Sequence, residues 1–459
     1  MELEEHFDIL RQNALSLRKS TLKQRKHWLK SIEKWILDHR NDIQKAVFKD
    51  FKKPSSEADL TEIFPVLTEL RGTVRDLKYW MRPQHVPASI TYLGTRSHVH
   101  HEPKGTCLII SPWNYPFQLA IGPLVSAIAA GNAVIIKPSE FSEAVSTLIQ
   151  RMITDLFEPN HVSVQLGGVE ASQKLLKLPF DHIFFTGSPR VGKVVMEAAS
   201  KHLTSVTLEL GGKSPVIIDK SAEIKDTAEK LAWGKWVNAG QSCTAPDYVY
   251  VHEAKLAELL KHLKVYIQRL YGDQSDYCGI INQQHADRLK QWVKNAVDNG
   301  AKIELGGSID DSLKFQPTII TNISETSTLW NEEIFGPILP IVTFGDLKEP
   351  LHHINQNEKP LALYVFAKDH KVQNRVKLET SAGSMCINDT MIQFSHPELP
   401  FGGVNNSGIG KAHGVWGFKE FSNEKSVVKQ RIGLTLAKTT YPPMSWFKKL
   451  NIDFILKYL

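Results

Sequence analysis

The feature that most constrains the fold is a regular alternation of short apolar runs with helical segments between residues 106 and 210. The runs are five or six residues long, and the expected strands are 106–111, 133–137, 162–166, 182–186 and 205–210. Segments with helical periodicity separate them. Short strands that alternate with helices predict a parallel sheet that is buried on both faces. Ligands of such sheets bind at the carboxyl ends of the strands.

The alternation resumes after Gly211-Gly212 and predicts a second α/β unit. Its expected helices are 221–241, 253–271 and 283–299, and its expected strands are 248–252, 317–323, 337–344, 361–367 and 384–388. Residues 1–82 read as helices. Residues 88–102 alternate around Gly94 as in a β-hairpin, and a strand near 425–432 is expected to pair with that hairpin and close a small third layer.

The composition excludes several classes of protein. The net charge is +6 over 459 residues and the basic residues are scattered, whereas nucleic-acid binding requires clustered charge. Four cysteines without a C-x-x-C pair are too sparse for a disulfide framework or a zinc cluster and indicate a reducing compartment. The N-terminal ten residues lack the order of a signal peptide, and we find no membrane-spanning run. These features predict a cytoplasmic protein with no metal site.

One cysteine lies where a nucleophile would be expected. Cys243 stands in Gly-Gln-Ser-Cys-Thr-Ala-Pro, between the expected helix 221–241 and the strand 248–252. A lone cysteine is more often a small buried residue. However, Glu209 stands 34 positions upstream (243 − 209) among apolar residues, at the end of an expected strand before Gly211-Gly212. A thiol and a carboxylate at strand ends suit a site that forms a thioester and activates water.

Two stretches suit a dinucleotide. In the first, a strand ends at Thr186-Gly187-Ser188 and a helix follows that contains Gly192. Backbone amides at a helix N-terminus favour phosphate, although an ordinary turn is equally consistent with this pattern. In the second, Lys137 and Glu140 follow another strand, where both could hydrogen-bond ribose hydroxyls. An acidic group there would repel a 2′-phosphate and favours NAD, whereas the alternative is a solvated residue that caps a helix.

Three loops complete the candidate site. Asn114 lies between two prolines in Ser-Pro-Trp-Asn-Tyr-Pro and could donate to a developing oxyanion; a plain Asx turn is the alternative. Glu333 and Phe335 precede Gly336-Pro337 and could contact a second ribose and the nicotinamide, or form only a turn with a surface acid. The glycine-rich stretch 400–410 could approach a ligand closely or be a connector.

Taken together and in this order, these stretches resemble the NAD(P)-dependent aldehyde dehydrogenase superfamily. The resemblance covers about residues 5–432 and rests on PWNYP, KPSE, FTGS-x-x-x-G, LELGGKSP, GQSCTAPDY, EEIFGP and PFGGVNNSGIG. GQSCTAPDY, the short N-terminus and the late Tyr441-Pro442-Pro443 look most like the class 3 and fatty-aldehyde branch, which is usually dimeric.

The resemblance implies an aldehyde-dehydrogenase-like α/β fold and a role for each motif. Cys243 becomes the nucleophile, Glu209 the general base, and Asn114 with the Cys243 N–H the oxyanion hole. The implied cofactor residues are Lys137, Glu140, Thr186, Gly187, Ser188, Gly192, Glu333 and Phe335. The expected reaction oxidises an aldehyde to a carboxylic acid through a thiohemiacetal and a thioester, with NAD as cofactor and NADP left open. CoA-acylating chemistry, or a catalytically silent NAD-binding homologue, are the alternatives.

The same resemblance predicts the domain organisation. A Rossmann-type NAD-binding domain is expected over 1–87 and 103–210, and a catalytic domain over 211–395. A small β element that mediates oligomerisation is expected over 88–102 and 396–432, and a C-terminal tail over 433–459. We expect a homodimer that acts on a medium- or long-chain or aromatic aldehyde, with Trp113, Tyr115, Trp233, Trp236 and Phe394 lining an apolar tunnel. Residues 446–459 could lie on a membrane surface, gate the tunnel, or simply pack on protein.

Overall fold

The computed structural model describes residues 3–88, 92, 94–273, 275–433 and 435–458, and its strands form three separate sheets. The strands are β1 Gln84–Val86, β2 Thr95–Pro103, β3 Thr106–Ile110, β4 Ala133–Lys137, β5 Val162–Val164, β6 His182–Gly187, β7 Ser205–Leu210, β8 Pro215–Ile218, β9 Tyr248–His252, β10 Lys302–Leu305, β11 Thr318–Thr321, β12 Ile338–Phe344, β13 Ala362–Phe366, β14 Ser384–Ile387, β15 Gly408–Ile409 and β16 Ser422–Gln430.

Helices precede the first strand of the chain and also lie around the three sheets. They are α1 Leu3–Leu17, α2 Leu22–Asp38, α3 Arg40–Phe51, α4 Ser55–Ala58, α5 Phe64–Trp80, α6 Gln118–Ala130, α7 Glu143–Leu156, α8 Val169–Leu175, α9 Pro189–Ser200, α10 Ile224–Trp236, α11 Leu256–Tyr271, α12 Gln283–Asp298, α13 Thr328–Asn331, α14 Lys348–Gln356, α15 His370–Glu379, α16 Gly414–Glu420 and α17 Trp446–Tyr458. A π-helical segment, Asp59–Ile63, joins α4 to α5, and 3₁₀ turns span Val237–Gly240, Glu253–Lys255 and Leu436–Thr440.

The first sheet has the order β15-β7-β6-β3-β4-β5, and its strands are parallel except for the two-residue β15. Helices cover both faces. Side chains of α2, α5, α6 and α7 pack on one face, and those of α1 and α9 pack on the other. Because both faces are buried, β3 and β4 are apolar along nearly their whole length. The predicted parallel sheet is confirmed.

The second sheet has the order β10-β11-β12-β9-β8-β13-β14 and is parallel apart from β10. Side chains of α10, α11 and α12 pack on one face, and those of α14 and α15 pack on the other. The predicted second α/β unit is therefore confirmed. Strand β8 lies near the middle of this sheet but was not predicted, because it has only four residues and begins with a proline shortly after Gly211-Gly212.

The third sheet has the order β1-β2-β16. The antiparallel pairing of β16 with β2 confirms the predicted contact between the late strand and the hairpin. The predicted hairpin bounds are wrong, because β1 lies before residue 88 and pairs with the middle of β2. Residues 89–91 and 93 of that expected hairpin lie outside the described residues, as do residues 1, 2 and 459 of the expected terminal segments.

The predicted helix 221–241 is wrong at its C-terminal end. Helix α10 ends at Trp236, and Asn238 and Ala239 adopt left-handed backbone angles with φ of 54° and 49°. Gly240 follows with φ of 70°. A right-handed helix cannot continue through such residues, so the chain turns before it reaches Cys243.

The C-terminal helix α17 has no buried residue among those described. Its exposed side chains include Trp446, Phe447, Leu450, Phe454 and Leu456. Within the described part of the chain, we find no helix whose length and apolar character would let it cross a bilayer.

Candidate active site

Cys243 lies where three cavities meet, between the first and second sheets. Each cavity has Cys243 in its wall. The first, which we call the sheet-end cavity, lies at the carboxyl ends of β6 and β7 and spans about 780 Å³. The second, the apolar cavity, spans about 720 Å³, and the third, the carboxyl cavity, about 840 Å³; these volumes include space that is open to solvent. The thiol can therefore be approached from three directions.

The turn before Cys243 is held in its strained shape by hydrogen bonds. The N–H of Asn238 donates to Glu57 Oε1 at 2.9 Å, and the Asn238 side-chain amide donates to the Gln241 carbonyl at 2.9 Å. Gln241 in turn donates through Nε2 to the Gly279 carbonyl at 3.1 Å. Left-handed non-glycine residues cost about 1–3 kcal/mol each and persist only where the surroundings enforce them. Here the turn determines where Cys243 lies.

Asn114 joins the same network from the loop after β3. Its side-chain Nδ2 donates to the Gln241 carbonyl at 3.0 Å, and its own carbonyl accepts from Asn238 Nδ2 at 3.0 Å. An amide nitrogen carries two N–H donors, so one donor of Asn114 is left for another acceptor. The asparagine thus lines the sheet-end cavity in a fixed orientation relative to Cys243.

A buried ion pair between Lys53 and Glu62 holds the end of the Asn114 loop in place. Lys53 Nζ lies 3.0 Å from Glu62 Oε1, and both side chains are fully buried. The other oxygen, Glu62 Oε2, accepts from the N–H groups of Phe117 and Gln118 at 3.2 and 3.0 Å. Glu62 therefore fixes the start of α6, directly after the Asn114 loop.

Removing one partner of this pair is expected to destabilise the protein. In Glu62→Ala, the Lys53 ammonium would stay buried without its counter-ion, and such losses reach about 3–5 kcal/mol. The control is Glu33→Ala, which breaks the exposed pair of Glu33 with Arg71 and is expected to cost less than about 1 kcal/mol. Chemical denaturation measures both free energies of unfolding. Equal losses for the two variants would contradict the structural role of the buried pair.

The sheet-end cavity gathers most of the residues that the sequence analysis selected. Thr186 and Glu209 stand opposite each other in the register of β6 and β7. The selected residues in its wall are Asn114, Thr186, Gly187, Ser188, Glu209, Cys243, Glu333 and Phe335. His285 and Arg288, on α12, also line it; the sequence analysis missed them because no motif near α12 marked that helix as facing a ligand.

Three selected residues lie outside that wall. Lys137 is buried at the end of β4, where its Nζ donates to the Pro138 carbonyl at 2.8 Å and to Glu140 Oε2 at 3.0 Å. Gly192 lies inside α9, and a Cβ there would stand 2.7 Å from a methyl group of Leu210. Gly192 thus permits close packing of α9 on β7. The predicted ribose contacts of Lys137 and Glu140 stay predictions.

Glu209 is 6% exposed, and neither of its carboxylate oxygens has a hydrogen-bond partner among the described residues. Burial raises its pKa well above the usual range; nearby Lys411 lowers the pKa, and Glu420 raises it. A carboxyl group without partners in a buried site is suited to exchanging a proton with a ligand or a water molecule.

Cys243 and Glu333 also have shifted pKa values. Burial raises the pKa of the Cys243 thiol to about 12, and the charges of Glu333 and Glu209 add to this, whereas its own N–H and that of Thr244 lower it. Burial, followed by the charge of Asp247, raises the pKa of Glu333 to about 8. The buried Glu333 Oε1 has no partner among the described residues. The site therefore holds carboxyl groups that are ready to accept contacts from a ligand.

The apolar cavity extends from Cys243 between the N-terminal helices and the second sheet. Of the residues expected to line a tunnel, Tyr115, Trp233 and Phe394 do so. Trp113 lines the sheet-end cavity instead. The expectation for Trp236 is wrong, because its ring is fully buried and Nε1 donates to the Pro337 carbonyl at 2.9 Å. Other lining residues, which the sequence analysis missed, are Leu60, Phe64, Leu119, Met391 and Ile392.

These features define an α/β enzyme in which two parallel sheets meet around a half-buried cysteine and a ligand cavity. The sequence matches the aldehyde dehydrogenase family over residues 2–427. The chain belongs to this family and is an NAD(P)-dependent aldehyde dehydrogenase, an oxidoreductase that acts on aldehydes.

Several curated relatives cover most of this chain. A 4,4'-diaponeurosporen-aldehyde dehydrogenase of Staphylococcus aureus is 44% identical over 91% of this chain and 92% of its own length. The dimeric NADP-preferring aldehyde dehydrogenase of Rattus norvegicus is 41% identical over 89% of this chain and 90% of its own. Aldehyde dehydrogenase family 3 member A2 of Macaca fascicularis is 39% identical over 97% of this chain and 92% of its own length. Relatives in family 3 therefore agree with the predicted branch.

Solved structures show the same fold. The substrate-bound state of Staphylococcus aureus AldH superposes with a TM-score of 0.95 and 40% identity, covering 99% of this chain and all of the other. A Staphylococcus aureus betaine aldehyde dehydrogenase in complex with NAD+ superposes with a TM-score of 0.83 and 26% identity, and the match covers 94% of this chain and 90% of the other. The predicted aldehyde-dehydrogenase-like α/β fold is confirmed.

Proposed function

We propose that Cys243 attacks the aldehyde carbonyl and that the product is the free carboxylic acid. The observation that carries this proposal is the position of Cys243 at the junction of the apolar and sheet-end cavities, with Glu209 in the wall of the second. An aldehyde that enters through the apolar cavity would meet the sulfur at its inner end. The attacking form is the Cys243 thiolate, which the last step of each turnover regenerates. Its attack forms a C–S bond and moves negative charge to the carbonyl oxygen.

Asn114 and the backbone N–H of Cys243 would stabilise that oxyanion. Asn114 keeps one N–H donor after its bond to the Gln241 carbonyl, and a donor held in place before the reaction stabilises developing charge most effectively. Loss of hydride from the former aldehyde carbon leaves a thioester on Cys243. Glu209 would then take a proton from a water molecule, whose oxygen attacks the thioester and releases the acid and the Cys243 thiolate.

Two observations support the proposal that an NAD(P) molecule binds in the sheet-end cavity. The cavity opens beside the N-terminus of α9, which Ser188 caps, and such ends favour phosphate. The buried Glu333 Oε1 and Thr186 Oγ1 have no partner among the described residues and could take hydrogen bonds from a ligand. When bound, the cofactor supplies the acceptor for the hydride. Phe335 and Glu333 would orient it against Cys243, and Gly192 lets α9 lie close to β7.

We propose that Glu140 favours NAD over NADP. Its carboxylate is held by Lys137 at 3.0 Å, where a 2′-phosphate would meet negative charge. Glu140→Gln is expected to raise the kcat/KM ratio of NADP to NAD about tenfold, in line with the 1–3 kcal/mol of a lost charge contact. Glu143→Gln, an acid in the first turn of α7, is the control. An unchanged ratio in Glu140→Gln would remove this residue from cofactor selection.

We propose a medium- or long-chain or aromatic aldehyde as the substrate, because the apolar cavity is lined mainly by aromatic and aliphatic side chains. A Staphylococcus aureus relative that is 44% identical is named a 4,4'-diaponeurosporen-aldehyde dehydrogenase, which makes that aldehyde a compound to include among the substrates tested. A panel of aldehydes of increasing length, assayed with NAD and with NADP by absorbance of the reduced cofactor, tests it. A preference for short polar aldehydes would refute it, and acyl-CoA formed on adding CoA would indicate the acylating alternative.

We also propose that the chain is a homodimer joined through the third sheet, which corresponds to the predicted element over 88–102 and 396–432. Strand β16 pairs with β2 on one side and lies at the end of its sheet, and such an edge offers unpaired backbone groups to a second chain. Static light scattering is expected to give twice the chain mass, and Val428→Pro on β16 is expected to weaken the association. A monomeric wild type would contradict the proposal.

Two functions are proposed for the C-terminal helix α17: binding to a membrane surface and gating of the tunnel. Its exposed aromatic and aliphatic residues alternate with Lys448, Lys449 and Lys457, as in helices that lie on membrane surfaces. The other hypothesis is that α17 gates the tunnel of this or a second subunit. Deleting residues 446–459 and measuring vesicle binding and chain-length preference distinguishes the two.

A further inference from the structure

Glu209 borders two cavities rather than one. It lies in the wall of the sheet-end cavity and also in the wall of the carboxyl cavity, which Glu333 does not line. Within the proposed function, Glu209 takes one proton from water in each turnover and must release it before the next. Because no described residue bonds its carboxylate oxygens, that proton has no direct protein acceptor.

The carboxyl cavity is the route that stays open during hydrolysis. A dinucleotide would fill the sheet-end cavity, and an apolar acyl chain would fill the apolar cavity. The carboxyl cavity lies between α5, α6 and the segment before α16, and part of its space of about 840 Å³ is open to solvent. Its wall carries buried oxygens that lack a partner among the described residues, namely Gln118 Oε1 and Thr186 Oγ1. The rest of its wall is mainly apolar, so these oxygens and the carboxyl groups that line the cavity are the polar partners that a small number of ordered water molecules would need.

Glu69 is the second carboxyl group in that cavity. It lies on α5 and is 7% exposed, and its Oε1 accepts a hydrogen bond from the Gly414 N–H at 2.8 Å. Burial raises its pKa to about 7; the Gly414 N–H lowers it, and the nearby carboxylate of Glu398 raises it. His413 also lines the cavity, and burial lowers its pKa to about 4, so it adds no charge there at neutral pH.

We propose that Glu69 receives, through water in the carboxyl cavity, the proton that Glu209 takes from the hydrolytic water. The inference rests on the proposed role of Glu209. One proton leaves the attacking water for Glu209 as the new C–O bond forms and the C–S bond breaks. That proton then moves along water to Glu69 and from there to solvent, and Glu209 is an anion again. No oxidant or further reactant is needed.

The matched test is Glu69→Gln, which keeps an acceptor for the Gly414 N–H and nearly the same volume but cannot carry the proton. In rapid-quench experiments, cofactor reduction and the first release of acid are expected at the wild-type rate, because Glu209 begins as an anion, and acid release in later turnovers is expected about tenfold slower. Added formate or imidazole, small enough for the cavity, is expected to restore acid release in proportion to its concentration. Glu69→Asp is expected to retain most of the rate.

The control is Glu398→Gln, because Glu398 is an exposed carboxyl group near Glu69 that pairs with Arg75 and lies outside the carboxyl-cavity wall; it is expected to leave acid release unchanged. Wild-type acid release by Glu69→Gln in the later turnovers would overturn the proposal. A parallel loss of cofactor reduction and acid release that neither formate, imidazole nor Glu69→Asp restored would overturn it as well. If Glu209→Gln also released acid normally, the proposed function itself would fail, which separates the two failures.

Discussion

Cys243→Ala is expected to abolish aldehyde-dependent reduction of the cofactor. The sulfur is the atom on which the proposed thioester forms, and removal of an enzyme's nucleophile typically lowers kcat by about 10³-fold or more. The substitution deletes one atom from a half-buried site, so the fold should be retained. Absorbance of the reduced cofactor, followed with a medium-chain aldehyde, measures the loss.

Cys386→Ala is the matched control for that variant. Cys386 is a free cysteine on β14, and it lies in the core of the second sheet rather than in the three cavity walls. Its loss is expected to leave turnover within about twofold, because no reacting atom is removed. Comparable turnover in Cys243→Ala would refute the nucleophile and with it the thioester route.

Glu209→Gln is expected to separate the two halves of the reaction. The amide is nearly isosteric but cannot accept a proton, so thioester hydrolysis should slow by about 10²–10⁴-fold, while hydride transfer should change far less. Stopped-flow absorbance is expected to show a burst of one reduced cofactor per site, followed by slow turnover. Acid treatment should trap the acylated Cys243.

The control for this second variant is Glu420→Gln. Glu420 lies near Glu209, but its carboxylate accepts from Thr207 Oγ1 at 2.9 Å and from the Lys411 N–H at 3.1 Å, outside the cavity walls. The glutamine amide keeps one oxygen that can accept from the Lys411 N–H and an NH₂ group that can donate to the Thr207 hydroxyl, so turnover should persist. Equal steady-state rates in wild type and Glu209→Gln would remove Glu209 as the base.

Strands and motifs were predictable because their signals are local. The strands β4, β7 and β9 were predicted with their observed bounds, since a short apolar run between glycine or polar turns has few other structures available. The motif residues at the ends of β6 and β7 were also predictable, because parallel strands bring their carboxyl ends to one edge of a sheet.

Other features could not be read from local patterns. The left-handed pair Asn238-Ala239 follows directly on a predicted helix. Its shape is held by hydrogen bonds that Asn238 donates to Glu57 and Asn114 and accepts from Gln241. Strand β8 was too short to recognise next to Gly211-Gly212. Trp236 has the same residue type as Trp233, and packing alone decides that one ring faces the core while the other lines a cavity.

The sequence by itself determined the α/β fold, the family and the identity of the thiol and carboxyl group on which the proposed chemistry depends. The tertiary structure alone decided which cavities meet at Cys243 and which distant acids border them. Glu62 and Glu69 lie on N-terminal helices with no motif around them, and their importance arises from burial against α6 and α16. Burial and its effect on charge depend on contacts between segments that are distant in the sequence, 56 residues for Glu62 with Gln118 and 345 for Glu69 with Gly414. A local sequence pattern does not contain that information.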